Sequence, residues 1–190
     1  MIVDSINDSI HILKQAVGAD VMNSLIDEFD KGYNGIGFQK QEKIGDDIRS
    51  RPFWSNIKKP STEDQFTDYG DILSFIKWAE VYKYSVKKIL RKNVELIRIN
   101  TNIQYYCQET TFHQDGGPDR WTLLLFLATH WDTNWGGEFI CQYKDTYHGI
   151  PFIPGNAVLF NANLWHRGSA PNIMARDLRR SIAFTYSEVI

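Results

Sequence analysis

The chain changes period near Asn93, and that change sets what it can fold into. From Val94 onward the sequence breaks into short runs: VELIRIN, IQYYCQE, WTLLLFLA, GEFICQY, GIPFIP, AVLFNA, LWHRG and RRSIAFTYS. Such runs, rich in β-branched and aromatic residues and bounded by Gly, Pro, Asn and Asp, read as strands. Their succession argues for a closed or sandwich-like antiparallel fold. Asn100-Thr101-Asn102 reads as a turn between the first two runs. Asp145 to His148 reads as a hairpin or loop, and Pro154-Gly155 as the turn feeding AVLF.

Before Asn93 the pattern is helical. Ile6, Ile10, Ile12 and Leu13 predict a helix from Ser5 to about Gln15, capped by Asp4 or Ser5, with His11 in a packing role. Val21, Leu25, Ile26 and Phe29 predict a second helix from about Asp20. The strongest signal is DILSFIKWAEVYKYSVKKILRK, with one broad apolar face, Asp71 at its start and Lys87, Lys88, Arg91 and Lys92 at its end, which suits the helix dipole. Residues 31 to 60 are rich in Gly and charge and read as loop with one or two short edge strands. Arg49, Arg51 and Trp54 make that stretch a candidate lid, and Ser61 with Asp64 resembles a helix cap.

A length of 190 residues fits one domain with a sizeable core. A formal charge of -2 gives no reason to expect an obligatory nucleic-acid or acidic-membrane partner. Six Trp, nine Tyr and eleven Phe suggest an aromatic-lined interior, with Trp121, Trp131, Trp135 and Trp165 as candidate walls. Cys107 and Cys141 are the only cysteines, so a disulfide scaffold is not indicated. An acidic start without an apolar core does not resemble a signal peptide, no run is long enough to cross a bilayer, and the expected location is cytoplasmic.

The chemistry concentrates at His113-Gln114-Asp115. In a strand, residues i and i+2 share a face, so His113 and Asp115 can bind one ion while Gln114 points away. His166, in FNANLWHRG, is the candidate third ligand. Two histidines and one carboxylate leave coordination positions open, the set used by non-haem Fe(II) oxygenases. A barrel can bring distant strands to one mouth. His130 and His148 have no partner at ligand spacing.

From about Val94 to Glu188 the chain resembles the iron(II)- and 2-oxoglutarate-dependent dioxygenases, in particular their prolyl-4-hydroxylase-like branch. The resemblance rests on the ordered pieces HQD, DRWTLLLFLATHWDTNWGGEFI, PGNAVLFNANLWHRGSAP and RRSIAFTYS. It implies an α+β fold: a double-stranded β-helix (jelly-roll, cupin-like) barrel supported by N-terminal helices. Residues 1–190 would form a single oxygenase domain, with 1–93 mainly helical support and loops and 94–190 the jelly-roll core.

The resemblance also implies a site. His113, Asp115 and His166 match the Fe(II) ligands, and Arg180 matches the basic residue that pairs with the distal carboxylate of 2-oxoglutarate. Arg179 and Arg180 must face opposite ways, and the family position favours Arg180, although the stretch after His166 is longer than in related hydroxylases. Tyr105 or Tyr106 resembles a tyrosine that contacts the cosubstrate, with Tyr105 favoured. Gly136-Gly137 matches a glycine pair before a strand. The implied activity is hydroxylation of an unactivated C–H bond using molecular oxygen, Fe(II), 2-oxoglutarate and, among cofactors of this class, ascorbate. A peptidyl proline or other protein side chain is the first substrate expected, and a free amino acid or small metabolite the second. A non-catalytic metal-binding cupin-like protein is the alternative of another class, since a fold does not by itself give a function.

Overall fold

A computed structural model describes residues 1–32, 54–58 and 72–189. The lid expected around Arg49 and Arg51 and the cap at Ser61 lie outside the described residues. In chain order the elements are β1 (Ile2–Asn7), β2 (Ile10–Lys14), α1 (Ala19–Gly32), β3 (Trp54–Lys58), α2 (Ile72–Leu90), β4 (Val94–Gln104), β5 (Arg120–Leu127), β6 (Phe139–Tyr143), β7 (Thr146–Ile150), β8 (Ala157–Asn161), β9 (His166–Gly168) and β10 (Arg179–Glu188).

These strands form two antiparallel sheets. The larger has the order β1-β2-β8-β5-β10-β4-β3 and the smaller the order β7-β6-β9. Strand alternation divides the core. Leu123, Leu125, Leu127, Leu159, Ile182 and Phe184 face one way, into a cluster with Leu25 and Ile26 of α1 and Ala79, Tyr82 and Val86 of α2. The Tyr82 ring stacks on Phe184 at 6.2 Å, and the Tyr186 hydroxyl donates to the Ala79 carbonyl at 2.7 Å. Leu124, Phe126, Val158, Phe160 and Ala183 face the other way and meet Phe139, Cys141 and Ile150 of the small sheet. The Phe139 and Phe160 rings lie 4.7 Å apart across that gap. The central strands β8, β5 and β10 of the large sheet are therefore buried on both faces, and the inter-sheet space is where their inward residues gather.

Three expectations fail. Residues 2–14 form the β1–β2 hairpin, not a helix, because Ile10 and Leu13 bury on opposite faces of the sheet and β2 pairs with β8. His11 sits in that strand and bonds Ser5 Oγ at 2.8 Å. Asn100-Thr101-Asn102 makes no turn: β4 runs straight through it, with Ile99 and Ile103 on the helix side and the asparagines toward the inter-sheet space. Cys107 falls outside any strand, exposed and at φ +60°, while Cys141 is a buried strand residue, and the two are not joined in a disulfide. The expected hairpin at 145 is present, with Lys144 at φ +54° beside the β6–β7 register pair Tyr143 and Thr146. Among the described residues no helix is long and apolar enough to cross a membrane.

Candidate metal centre

The main chain builds the centre before any side chain does. His113 and His166 form an isolated antiparallel bridge, each amide donating to the other's carbonyl at 3.0 and 2.9 Å. The Asp115 and Gly116 amides then both donate to the Ala162 carbonyl at 2.8 and 3.0 Å. This clamps residues 113–116 along the β8–β9 connection. Gln114 turns away and is held by a bond from its Nε2 to the Asn163 carbonyl, as the i, i+2 argument requires.

His113, Asp115 and His166 thus converge, their ligand atoms all within 4.8 Å of one another. His113 Nε2 lies 4.0 Å from Asp115 Oδ1, and His166 Nε2 lies 3.6 Å from Asp115 Oδ2. Each imidazole is oriented from behind. His113 Nδ1 donates to the Thr111 carbonyl at 3.0 Å, and His166 Nδ1 to the Leu164 carbonyl at 2.9 Å. A carbonyl can only accept, so both Nδ1 atoms carry the proton and both Nε2 lone pairs are left for an ion. Burial pushes the His166 imidazole down to about 4, against the pull of the Asp115 charge and with smaller repulsions from His113 and Arg98. A neutral imidazole is the form that binds metal. The donor set therefore fits a divalent ion.

Asp115 has further partners. Arg98, on β4, places Nη2 2.9 Å from Asp115 Oδ1, and Thr122, on β5, donates to Asp115 Oδ2 at 3.1 Å. Thr122 in turn shares a 3.3 Å bond with Thr185 of β10. Register explains the convergence. Arg98 pairs with Thr185 and Thr185 with Thr122, so three neighbouring strands present polar groups at one level.

The same inward face of β4 and β10 ends at Gln104 and Arg179, which are also a register pair. Arg179 is 2 % exposed. Its Nε donates to the Gly137 carbonyl at 2.8 Å, its Nη1 to Gln104 Oε1 at 2.7 Å, and it lies 5.1 Å over the Phe152 ring. Nη2 is buried and, among the described residues, has no partner. Burial lowers this guanidinium to about 10, partly offset by the charges of Glu138 and Glu109, so it remains a cation at neutral pH. Its hydrogen-bond partners are uncharged. A buried cation with unpaired N–H groups and no carboxylate in contact among the described residues is costly, and an anion relieves that cost. Gly168 supplies the room, since a Cβ there would stand 3.1 Å from Nη2, and Gly168 is only two residues beyond His166.

The structure does not bring Arg180 or Tyr105 to this place. Arg180 pairs in register with Leu127 and Ile103, which lie on the helix side, and its Nη1 contacts Asp177 Oδ1 at 3.1 Å. Of the two adjacent arginines it is Arg179 that points between the sheets, because side chains alternate along a strand. Tyr105 packs against the helix-side cluster, and Tyr106 is exposed. His130 stacks edge-on against Trp135, 5.3 Å away, and His148 lies across from Cys141; neither joins the triad. Gly136 and Gly137 both adopt positive φ, +74° and +82°, just before β6, and Gly137 gives its carbonyl to Arg179. Arg98, Thr122 and Gln104 were not singled out by sequence reasoning. The signal for two of them was present: Arg98, Asn100, Asn102 and Gln104 are polar at every second position of a strand-like run.

The fold is that of the non-haem oxygenase structures. No protein-family model and no curated protein sequence matches the chain. Solved structures do. The chain is similar to a prolyl hydroxylase from Trichoplax adhaerens in complex with a hypoxia inducible factor peptide, at a TM-score of 0.70 and 14% identity, covering 96% of this chain and 84% of that one. It is similar to a Pseudomonas putida prolyl-4-hydroxylase at 0.66 and 12%, covering 96% and 94%. It also matches HygX from Streptomyces hygroscopicus, with nickel and 2-oxoglutarate bound, at 0.64 and 12%, covering 94% and 82%.

Proposed function

We propose that the protein is an Fe(II)- and 2-oxoglutarate-dependent dioxygenase that hydroxylates an unactivated C–H bond. The observation that carries this reading is the triad of His113, Asp115 and His166, with both imidazoles tied off at Nδ1 and turned toward one carboxylate. These three residues would hold Fe(II) and leave positions open for cosubstrate and oxygen. Bound together, the metal and 2-oxoglutarate supply oxidative decarboxylation coupled to hydroxylation. The chain's own residues bind and orient. Arg179 would take the distal carboxylate of 2-oxoglutarate, for which its Nη2, buried and without a partner among the described residues, is suited. Thr122 and Arg98 hold Asp115 in place from behind. Phe139 and Phe160, with ring centroids 5.5 and 4.6 Å from His166, keep water away from that side of the site.

In this reading residues 1–190 are one oxygenase domain, and the two facing sheets are the double-stranded β-helix of that class. The substrate we favour is a peptidyl proline or other protein side chain, supported by the likeness to prolyl hydroxylases. A free amino acid or small metabolite is the competing class. Purified protein incubated with Fe(II), 2-oxoglutarate and oxygen should form succinate, and His113→Ala should abolish it. Mass spectrometry of candidate peptides then separates the substrates. No peptide gaining one oxygen, together with turnover of a free metabolite, refutes the peptide assignment; absence of iron-dependent succinate refutes the oxygenase.

A further inference from the structure

Arg179 is held by a neutral neighbour where a charged one would fit. Gln104 is 2 % exposed, and its orientation is fixed at both ends. Its Nε2 donates to the Gln108 carbonyl at 3.0 Å and to the Gly168 carbonyl at 3.2 Å. With both amide protons committed to main-chain acceptors, Oε1 must turn to the guanidinium, where it accepts from Arg179 Nη1 at 2.7 Å. Gln108 is itself fixed, its Oε1 accepting from the Tyr105 amide at 2.6 Å. The Gly137 carbonyl takes Nε on the other side. The guanidinium is thereby locked in place by two neutral acceptors, both N–H groups of Nη2 are left without an acceptor among the described residues, and Glu138 and Glu109 offset its charge only in part.

We infer that Gln104 is a specificity-determining residue: by positioning Arg179 without neutralising it, Gln104 makes the site select a ligand whose far end is an anion. A carboxylate at position 104 would form a buried ion pair with Arg179 and remove the demand for ligand charge. An aliphatic side chain would release the guanidinium but leave the charge. This rests on the proposed binding of 2-oxoglutarate and adds the residue that sets the charge preference at its distal end.

The test uses full-length protein loaded with a redox-inert divalent metal, and calorimetric binding of 2-oxoglutarate and of its C5 amide, 2-oxoglutaramate, from pH 6 to pH 9. The wild type should prefer the acid by at least tenfold. Gln104→Glu should reduce that preference by tenfold or more, increasingly so as the introduced carboxyl ionises, with metal affinity retained. Gln104→Leu should bind both ligands more weakly and keep the preference for the acid. A merely structural Gln104 would lower both affinities together in either variant. A folded Gln104→Glu protein that keeps the wild-type preference at every pH overturns the inference and leaves the oxygenase reading intact. Failure of the wild-type protein to bind 2-oxoglutarate overturns both. Should Gln104→Glu not fold, an unaltered affinity for 2-oxoglutarate in Gln104→Leu overturns the inference.

Discussion

Replacing Arg98 with methionine should make the metal-free protein weaker and its metal binding tighter. Arg98 Nη2 sits 2.9 Å from Asp115 Oδ1, and the two side chains are only 21% and 11% exposed. Breaking a fully buried pair by removing one partner costs about 3–5 kcal/mol, because the remaining charge is stranded. The guanidinium here is partly wet, so about 2–3 kcal/mol is the appropriate scale. For a chain of this length each kcal/mol moves Tm by about 2–4 °C, giving a fall of about 4–12 °C without metal. A divalent ion on Asp115 does the same neutralising job as Arg98. Once Arg98 is gone, binding the ion relieves the stranded charge, and about 2 kcal/mol of relief is an apparent Kd tighter by about 30-fold. Asp115 should keep its place, since Thr122 and the bond of its amide to Ala162 remain. Thermal melts with and without Zn(II) or Mn(II), together with calorimetric metal titration, measure both halves. Arg98→Lys, which keeps the charge, should stay near wild type. A folded Arg98→Met protein with an unchanged metal-free Tm, or with weakened metal affinity, would refute the reasoning.

Other outcomes follow from the same geometry. Arg179→Met should weaken 2-oxoglutarate binding by about 30-fold or more, the cost of truncating one partner of a buried charged pair, while Arg180→Met should change it by no more than about threefold; equal effects would contradict the assignment of faces. Burial lowers the His166 imidazole from 6.5 to about 4, and burial also lowers His11. Between those values the unfolded chain binds more protons than the folded one, so metal-free stability should be full above pH 6.5 and decline as pH falls toward 4. Urea midpoints at pH 7.5 and pH 5 that coincide would contradict this. Gly137→Ala should destabilise by about 2 kcal/mol or more, since alanine is strained at positive φ and its Cβ would also press on a packed ring. Gly137 sits at φ +82°, and the added Cβ would meet Trp131 at 2.9 Å. Chemical denaturation reads the effect.

The strands and the triad were legible because both depend on period two. His113 and Asp115 announce a shared face by spacing alone, and the runs after Asn93 bury large residues on alternate sides. What spacing cannot give is which face is which. Arg179 and Arg180 are indistinguishable until β10 is in register with β4 and β5, and then the alternation with Thr185 and Ala183 places Arg179 between the sheets. The same limit hid the β1–β2 hairpin. Ile6, Ile10 and Leu13 fit a helical stripe, and only the pairing of β2 with β8 selects the extended form. In β4, Asn100 and Asn102 carry turn propensity, yet tertiary pairing on both sides overrides it. Arg98 and Gln104 lay in plain view at alternate positions, but their roles depend on partners far along the chain.

The most direct test of the account is metal stoichiometry. Chelator-stripped protein, dialysed against Fe(II) under anaerobic conditions or against Co(II), should retain one ion per chain by elemental analysis. His113→Ala, Asp115→Ala and His166→Ala should each lose it, while His130→Ala and His148→Ala should keep it. Wild-type protein that retains no ion, or a full complement retained after loss of any one of the three ligands, would contradict the account.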